Sequence, residues 1–373
     1  MIQTVEQVET PAGDPAWHIG RYPQVKALLA DSRLGRAHPD PARASWYSRD
    51  DVAGRPARGA ETEYADHAGW RKAMNKVFSP SGLERMIPAV RTVAGQVADE
   101  MAAATPPADL NDSFAIPLTS RVMCTLLGIP AEDIDRFRAW TEEGAHDDDM
   151  ARSAVGMKML MSYVSSLIAR RRADPGPDVV SVLVANGGDG SRGYLGRVVK
   201  LLGGMLAFGR ETPASVINWG AMLLLTNPSQ RDLLSREPGL TNRAIEEILR
   251  LFKPHAATDL GLVRYAHADI TIGETTIRSG DMVLLDVMLA NRDSAVFPDP
   301  DRFDIARDPN PHLTFGSGFY MCNFTKLGRA EISIGLTTLL SRFPGLQMAG
   351  EVSELKYKEH MRTGGLAGLP VTW

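Results

Sequence analysis

Cysteine is nearly absent from this chain, with two residues among 373. Two thiols cannot build a disulfide framework, and their scarcity suits a reducing compartment. An excess of one charge is missing too, since 41 Lys and Arg stand against 45 Asp and Glu. A net charge of −4 gives no ground for nucleic acid or an anionic membrane as the main partner. The opening "MIQTVEQVET" has no basic start followed by an apolar core, so no secretory signal is expected. The most apolar run, residues 198–226, is interrupted by Arg210, Glu211 and Pro213, which argues against a membrane span. Internal repeats, low-complexity tracts and an interdomain linker are also lacking. These absences predict a soluble cytoplasmic protein, a single domain over 1–373, and a monomer.

What is present is mostly helical spacing. "SGLERMIPAVRTVAGQVADEMAA" sets Leu83, Ile87, Val90 and Val97 roughly on one face, with Ser81 as the expected cap. "IDRFRAWTEEGA" and "GMKMLMSYVSSLIARRRAD" follow the same rule, and the arginines closing the second suit a helix C-terminus. "LTNRAIEEILRLF" is a further helix, opened by Thr241 or Asn242. Residues 262–287 instead alternate apolar and polar around Gly-Glu and Ser-Gly-Asp turns, as short strands do. The Pro- and Asp-rich run "NRDSAVFPDPDRFDIARDPNPH" predicts ordered coil. The fold class is mainly α with a small β portion.

Chemistry concentrates in "HLTFGSGFYMCNFTKLGRAE", residues 312–331, which holds Cys322. A lone intracellular cysteine is ordinarily a small buried hydrophobe, and Cys124 in "SRVMCTLLGI" is read that way. Around Cys322 the residues argue for more. Two glycines let the backbone approach a flat partner, and a helix start from Asn323 onward offers N–H groups that stabilise a thiolate. A thiolate held by such donors is a soft axial ligand for haem iron. The acidic "HDDDM" (146–150) is read as a solvated loop rather than a metal site.

The loop resembles the haem-binding signature of the cytochrome P450 family at Phe315, Gly316, Gly318, Cys322, Leu327, Arg329 and Glu331. The likeness runs collinearly from about residue 18 to the end. Glu247 and Arg250 in "EILR" resemble the family's buried Glu-x-x-Arg pair, and "FPDPDRFDIAR" its next signature, with Arg302 expected to complete the network. His67 and Arg71 in "HAGWRK", four apart on one helix face, resemble propionate partners, as does Arg264. "FGRETP" resembles the oxygen-activating segment, with Glu211 and Thr212 as the acid–alcohol pair and Gly209 with Pro213 kinking the helix.

The resemblance implies a P450 fold, haem b on Cys322, and oxidation of a small organic substrate, a natural-product intermediate, by dioxygen and two electrons. Ferredoxin and ferredoxin reductase are the implied electron donors, meeting Lys72, Lys76 and Lys326 on the proximal side. Three departures stand near the expected haem. Phe324 takes the place of the family's Gly, Tyr320 that of a cation, and Phe208 that of a small residue. They predict weak haem binding or none, and leave a second reading open: a redox-neutral cyclase or an accessory substrate-binding protein on the same fold. Arg210 is expected to point outward. Substrate-determining loops are expected within 36–62, 140–160 and near Asp259.

Overall fold

Apolar residues spaced by three and four turn most of the chain into helix, as the computed structural model shows for residues 5–49, 54, 56–146, 148–185, 198–199, 202, 205, 209–254, 261–359 and 364–373. Strands β1 (Glu6–Glu9) and β2 (Pro15–Ile19) lead to helix α1 (Tyr22–Leu29) and the short β3 (Leu34–Gly35). Next come α2 (Ala60–Val77), α3 (Pro80–Ala102), β4 (Ala108–Asp109), α4 (Ile116–Leu127), α5 (Ile134–Ala145), α6 (Met150–Ala173) and α7 (Val179–Ala185). Helices α8 (Glu211–Thr226), α9 (Pro228–Arg236) and α10 (Thr241–Leu251) precede β5 (Leu262–Ala266), β6 (Ile270–Ile272), β7 (Thr275–Ile277) and β8 (Met282–Leu285). The chain ends with α11 (Val287–Ala290), α12 (Thr325–Arg342), β9 (Gln347–Met348) and β10 (Pro370–Thr372). This is the mainly α architecture with a small β portion that the sequence predicts.

Two caps differ from expectation. Ser79, not Ser81, caps α3, its Oγ accepting the Gly82 N–H at 3.2 Å. Pro80 then fills the first turn, where its missing N–H costs nothing. Helix α10 has no side-chain cap, because a 3-10 turn feeds straight into it and Thr241 Oγ1 donates back to the Pro238 carbonyl at 2.7 Å.

Helix α12 packs on α3, α8 and α10, so the segment after Cys322 runs through the main core. Helix α8 buries residues on nearly every face, as a central helix must. No helix among the described residues is long and apolar enough to cross a membrane. The largest sheet has the order β1-β2-β8-β5-β3. In it Arg264 lies opposite Val283, and Gly35 opposite Tyr265.

A buried charge cluster ties the coil after α11 to α10. Arg250 Nε and Nη2 each reach the Glu247 carboxylate at 2.8 Å, and both residues are fully buried. Arg250 Nη1 donates to the carbonyls of Asn291 (3.0 Å) and Pro300 (2.6 Å). The expectation that Arg302 completes this network is corrected. Arg307 is the second guanidinium, its Nε 3.1 Å from both Glu247 oxygens, whereas Arg302 offers only its carbonyl. Asn310 adds a 3.0 Å bond to Glu247, and the Thr314 hydroxyl donates to the Leu249 carbonyl at 2.9 Å. The cluster thus fixes the chain immediately before the glycine-rich loop.

Candidate active site

Glycine permits the turn that presents Cys322. Gly316 (φ +76°) and Gly318 (φ +68°) sit in the left-handed region, and a Cβ on Gly318 would come 2.6 Å from the Ala30 backbone. The Cys322 N–H closes the loop onto the Phe315 carbonyl at 2.9 Å. Phe315 is held by Arg329, whose guanidinium lies 4.5 Å from the ring centre while pairing with Glu246 at 2.6 and 2.8 Å. Burial would raise the Glu246 carboxyl, but hydrogen bonds from His312 and Arg329 override it and hold it at about 2.

Burial pushes the Cys322 thiol up, while the Phe324 N–H and the guanidiniums of Arg36, Arg329 and Arg71 pull the other way. The sulfur therefore has the donors that a metal-bound thiolate needs, yet keeps its proton more readily than a free cysteine when alone. The Phe324 ring is taken up by the core, 4.9 Å from Phe78 and edge-on to it. Phe208, Gly203, Gly204 and Asp259 lie outside the described residues.

His67, Arg71, Arg264 and Tyr320 converge at the loop. His67 Nε2 donates to the Phe319 carbonyl at 3.2 Å, and Arg71 Nη1 to the carbonyls of Phe319 (2.9 Å) and Met321 (2.8 Å). Desolvation, with Arg36 and Arg71 nearby, lowers His67 to about 4, so it is neutral at ordinary pH. Phe319 stacks flat on Tyr64 at 3.7 Å. Tyr320 donates its hydroxyl to Glu63 at 2.8 Å, and the guanidiniums of Arg36 and Arg264 lie 4.7 and 5.2 Å from its ring centre. Burial and then Arg36 lower Arg264 to about 10.

Glu211 and Thr212 form a separate group at the start of α8. A turn at Arg210 interrupts the helix between Gly209 and Glu211, three residues before Pro213, whose ring cannot donate to Gly209. Thr212 is exposed, whereas Glu211 is buried. Lys358 Nζ bonds Glu211 at 2.8 Å and Arg210 pairs with it directly. Burial raises the Glu211 carboxyl, but Arg210 and Lys358 outweigh this and hold it below its ordinary value. The outward placement expected for Arg210 is corrected: it is fully buried, with Glu142 3.7 Å away as a second counter-charge. An ionised Glu211 within the fold holds the guanidinium in. No hydrogen bond or ion pair joins this group to the Cys322 loop among the described residues.

Other sites stay structural. Cys124 is buried and pushed up to about 12 by desolvation, as a core thiol is. Within "HDDDM", Asp149 caps α6, accepting from the N–H groups of Ala151 and Arg152 at 2.9 and 3.0 Å. No group of three or more His, Cys, Asp or Glu placed to hold a metal ion occurs among the described residues.

Sequence reasoning missed Arg36, Glu63 and Lys358. Glu63 had a visible signal, being four before His67 and eight before Arg71 on one face of α2. Arg36 and Lys358 had none, since sheet register and the folded C-terminal segment bring them in.

The geometry can now be set beside known proteins. A sequence model described as Cytochrome P450 matches residues 185–364. Pentalenolactone synthase of Streptomyces exfoliatus is 36% identical over 97% of this chain and 91% of its own length. Mycinamicin IV hydroxylase/epoxidase of Micromonospora griseorubida is 35% identical over 100% of this chain and 93% of its own. Among solved structures, the substrate-free P450 PimD, a pimaricin epoxidase, superposes with a TM-score of 0.87 at 34% identity, covering 99% of this chain and 93% of that one. With a presented cysteine, converging cations and relatives that span its whole length, the chain belongs to the cytochrome P450 family and is a monooxygenase-like enzyme of the bacterial type.

Proposed function

We propose that the chain binds haem through Cys322 and oxidises a small natural-product intermediate with dioxygen and two electrons. The observation that carries this reading is the convergence at one loop of a sulfur with cations in excess of anions. Arg36, Arg71 and Arg264 gather there, Glu63 is the carboxylate that acts on Arg36 and Arg264 among the described residues, and His67 adds no charge. A soft sulfur and a cationic rim suit an iron porphyrin bearing carboxylates, so the residues present fit the group. When bound, haem supplies thiolate-ligated iron at which dioxygen is activated. Relatives named for pentalenolactone, mycinamicin and pimaricin support the substrate class.

In this reading Cys322 holds the iron, Phe315 and Gly316 shape the loop, and His67, Arg71, Arg264 and Tyr320 hold the propionate side. Thr212 and Glu211 hand protons to the reacting oxygen. Lys358, only 15% exposed and bonded to Glu211, keeps that acid ionised and links it toward solvent. Ferredoxin and its reductase supply electrons, meeting the exposed Lys72 and Lys326; the side chain of Lys76 lies outside what is described. The chain works as a single domain and a monomer, in the cytoplasm.

A second reading, weak or absent haem with redox-neutral or accessory work, draws support from one observation. His67 and Arg71 already donate to loop carbonyls, and Phe319 is stacked on Tyr64, so the loop satisfies these donors from within. Titration of the purified protein with hemin separates the two. A saturable one-to-one complex with a Soret band, lost or altered in Cys322→Ser, is expected; no complex at micromolar protein would overturn the leading reading.

A further inference from the structure

The antiparallel register of β3 and β5 has a consequence for Arg36. Leu34 pairs with Ala266 and Gly35 with Tyr265, where β3 ends, and Arg36 follows in a bend near enough to Arg264 for the two charges to act on each other. Like charges held close together repel. Among the described residues, neither guanidinium has a side-chain carboxylate in hydrogen-bond contact. Arg264 donates to the carbonyl of its own neighbour Val263 at 2.8 Å, and Arg36 makes a 3.5 Å contact with the Tyr320 carbonyl. The nearby Glu63 carboxylate is taken up by the N–H groups of Arg36 (2.8 and 3.1 Å) and Ala37 (2.9 Å) and by the Tyr320 hydroxyl. Arg36 is also exposed by surface area while its charge is penalised by surrounding protein, the signature of a group lining a cleft.

Resting on the haem-binding reading above, we propose that Arg36 is a propionate-binding residue that supplies, from the bend just after β3 and near Arg264, the cation the Cys322 loop lacks at Tyr320. The guanidiniums of Arg36 and Arg264 lie 4.7 and 5.2 Å from the centre of the Tyr320 ring, so two guanidinium forks stand at one end of the loop. With Arg71 and the single Glu63, the cluster keeps two uncompensated positive charges, matching the two carboxylates of one haem. The repulsion between the arginines is thereby relieved on binding, and Arg36 acts on retention of the group rather than on the reaction.

The test measures release of hemin from the loaded protein to excess apomyoglobin. Release from Arg36→Gln should be about tenfold faster than from the wild type, the loss expected for one charge-assisted hydrogen bond in a desolvated site. Arg36→Lys should recover part of that loss. The double variant Arg36→Gln/Tyr320→Arg, which returns a guanidinium from the loop side, should recover most of it. Unchanged retention in Arg36→Gln while Arg264→Gln and Arg71→Gln lose hemin would overturn the assignment and leave the haem-binding reading standing. Wild-type protein that never takes up hemin would overturn both. Circular dichroism and thermal midpoints of each apo variant separate loss of binding from loss of fold.

Discussion

Two charge clusters in this molecule are built on opposite terms. Around Glu247, two guanidiniums, an amide and a backbone N–H converge on one fully buried carboxylate, and Arg250 spends its remaining donors on carbonyls. That cluster is closed, and its work is to hold the chain that leads to the loop. At the other end of the loop, Arg36, Arg71 and Arg264 outnumber Glu63 among the described residues, and the charge of Arg36 acts on Arg264. That cluster carries more positive than negative side chains among the described residues. The comparison teaches that burial of charge alone does not mark a functional site; an excess of like charges gathered around one reactive side chain is the better guide.

The largest effect should come from breaking the closed cluster. Arg250→Met leaves a buried carboxylate with one of its two guanidiniums and should cost about 3–5 kcal/mol in urea unfolding. Glu331, on α12, is a third case, a wholly buried carboxyl with one oxygen lacking any partner and no opposing charge among its causes of shift. Burial lifts its titration from 4.5 to about 8, so native stability should fall as pH rises through that window and level off above it. Glu331→Gln should match the wild type in thermal midpoint at the acid end and exceed it by several degrees at the alkaline end. A constant difference at every pH would show that burial of the charge is not the cause.

At the cationic cluster the signs should reverse. Arg264→Gln should raise the stability of the apo protein by a few tenths of a kcal/mol, by removing one of two neighbouring like charges, while weakening hemin binding about tenfold. If apo stability fell instead, the two clusters would be alike and the comparison would break. Lys358→Met should let Glu211 titrate higher, since one of the two cations holding it down is gone. The acid limb of the pH profile of coupled turnover should then move to higher pH, with Thr212→Ala lowering coupling at every pH. The smallest effect belongs to Arg302→Ala, within about 0.5 kcal/mol, because only its carbonyl joins the closed cluster.

What could be read in the sequence follows the same divide. Short-range spacing was legible: Glu247 and Arg250 at i, i+3, His67 and Arg71 at i, i+4, and the glycines that present Cys322. Which arginine of the Pro- and Asp-rich coil reaches Glu247 was not, since the answer depends on turns such as that at Asp299 (φ +46°) rather than on a period. Arg210 misled for a related reason. A charged residue on a helix is ordinarily exposed, and only the folded pairing with Glu211 and Glu142 accounts for its burial. Lys358 meets Glu211 from 147 residues away, and Arg36 comes near Arg264 only once β3 has paired with β5, so neither leaves a local trace.

The central claim is that the sulfur of Cys322 binds haem iron as a thiolate within this cationic rim. The difference spectrum of hemin-loaded, dithionite-reduced protein with and without carbon monoxide tests it most directly. A strongly red-shifted Soret band that disappears in Cys322→Ser is the predicted result. A band at the position of neutral-ligand haem proteins, or no haem absorbance at all, would contradict it.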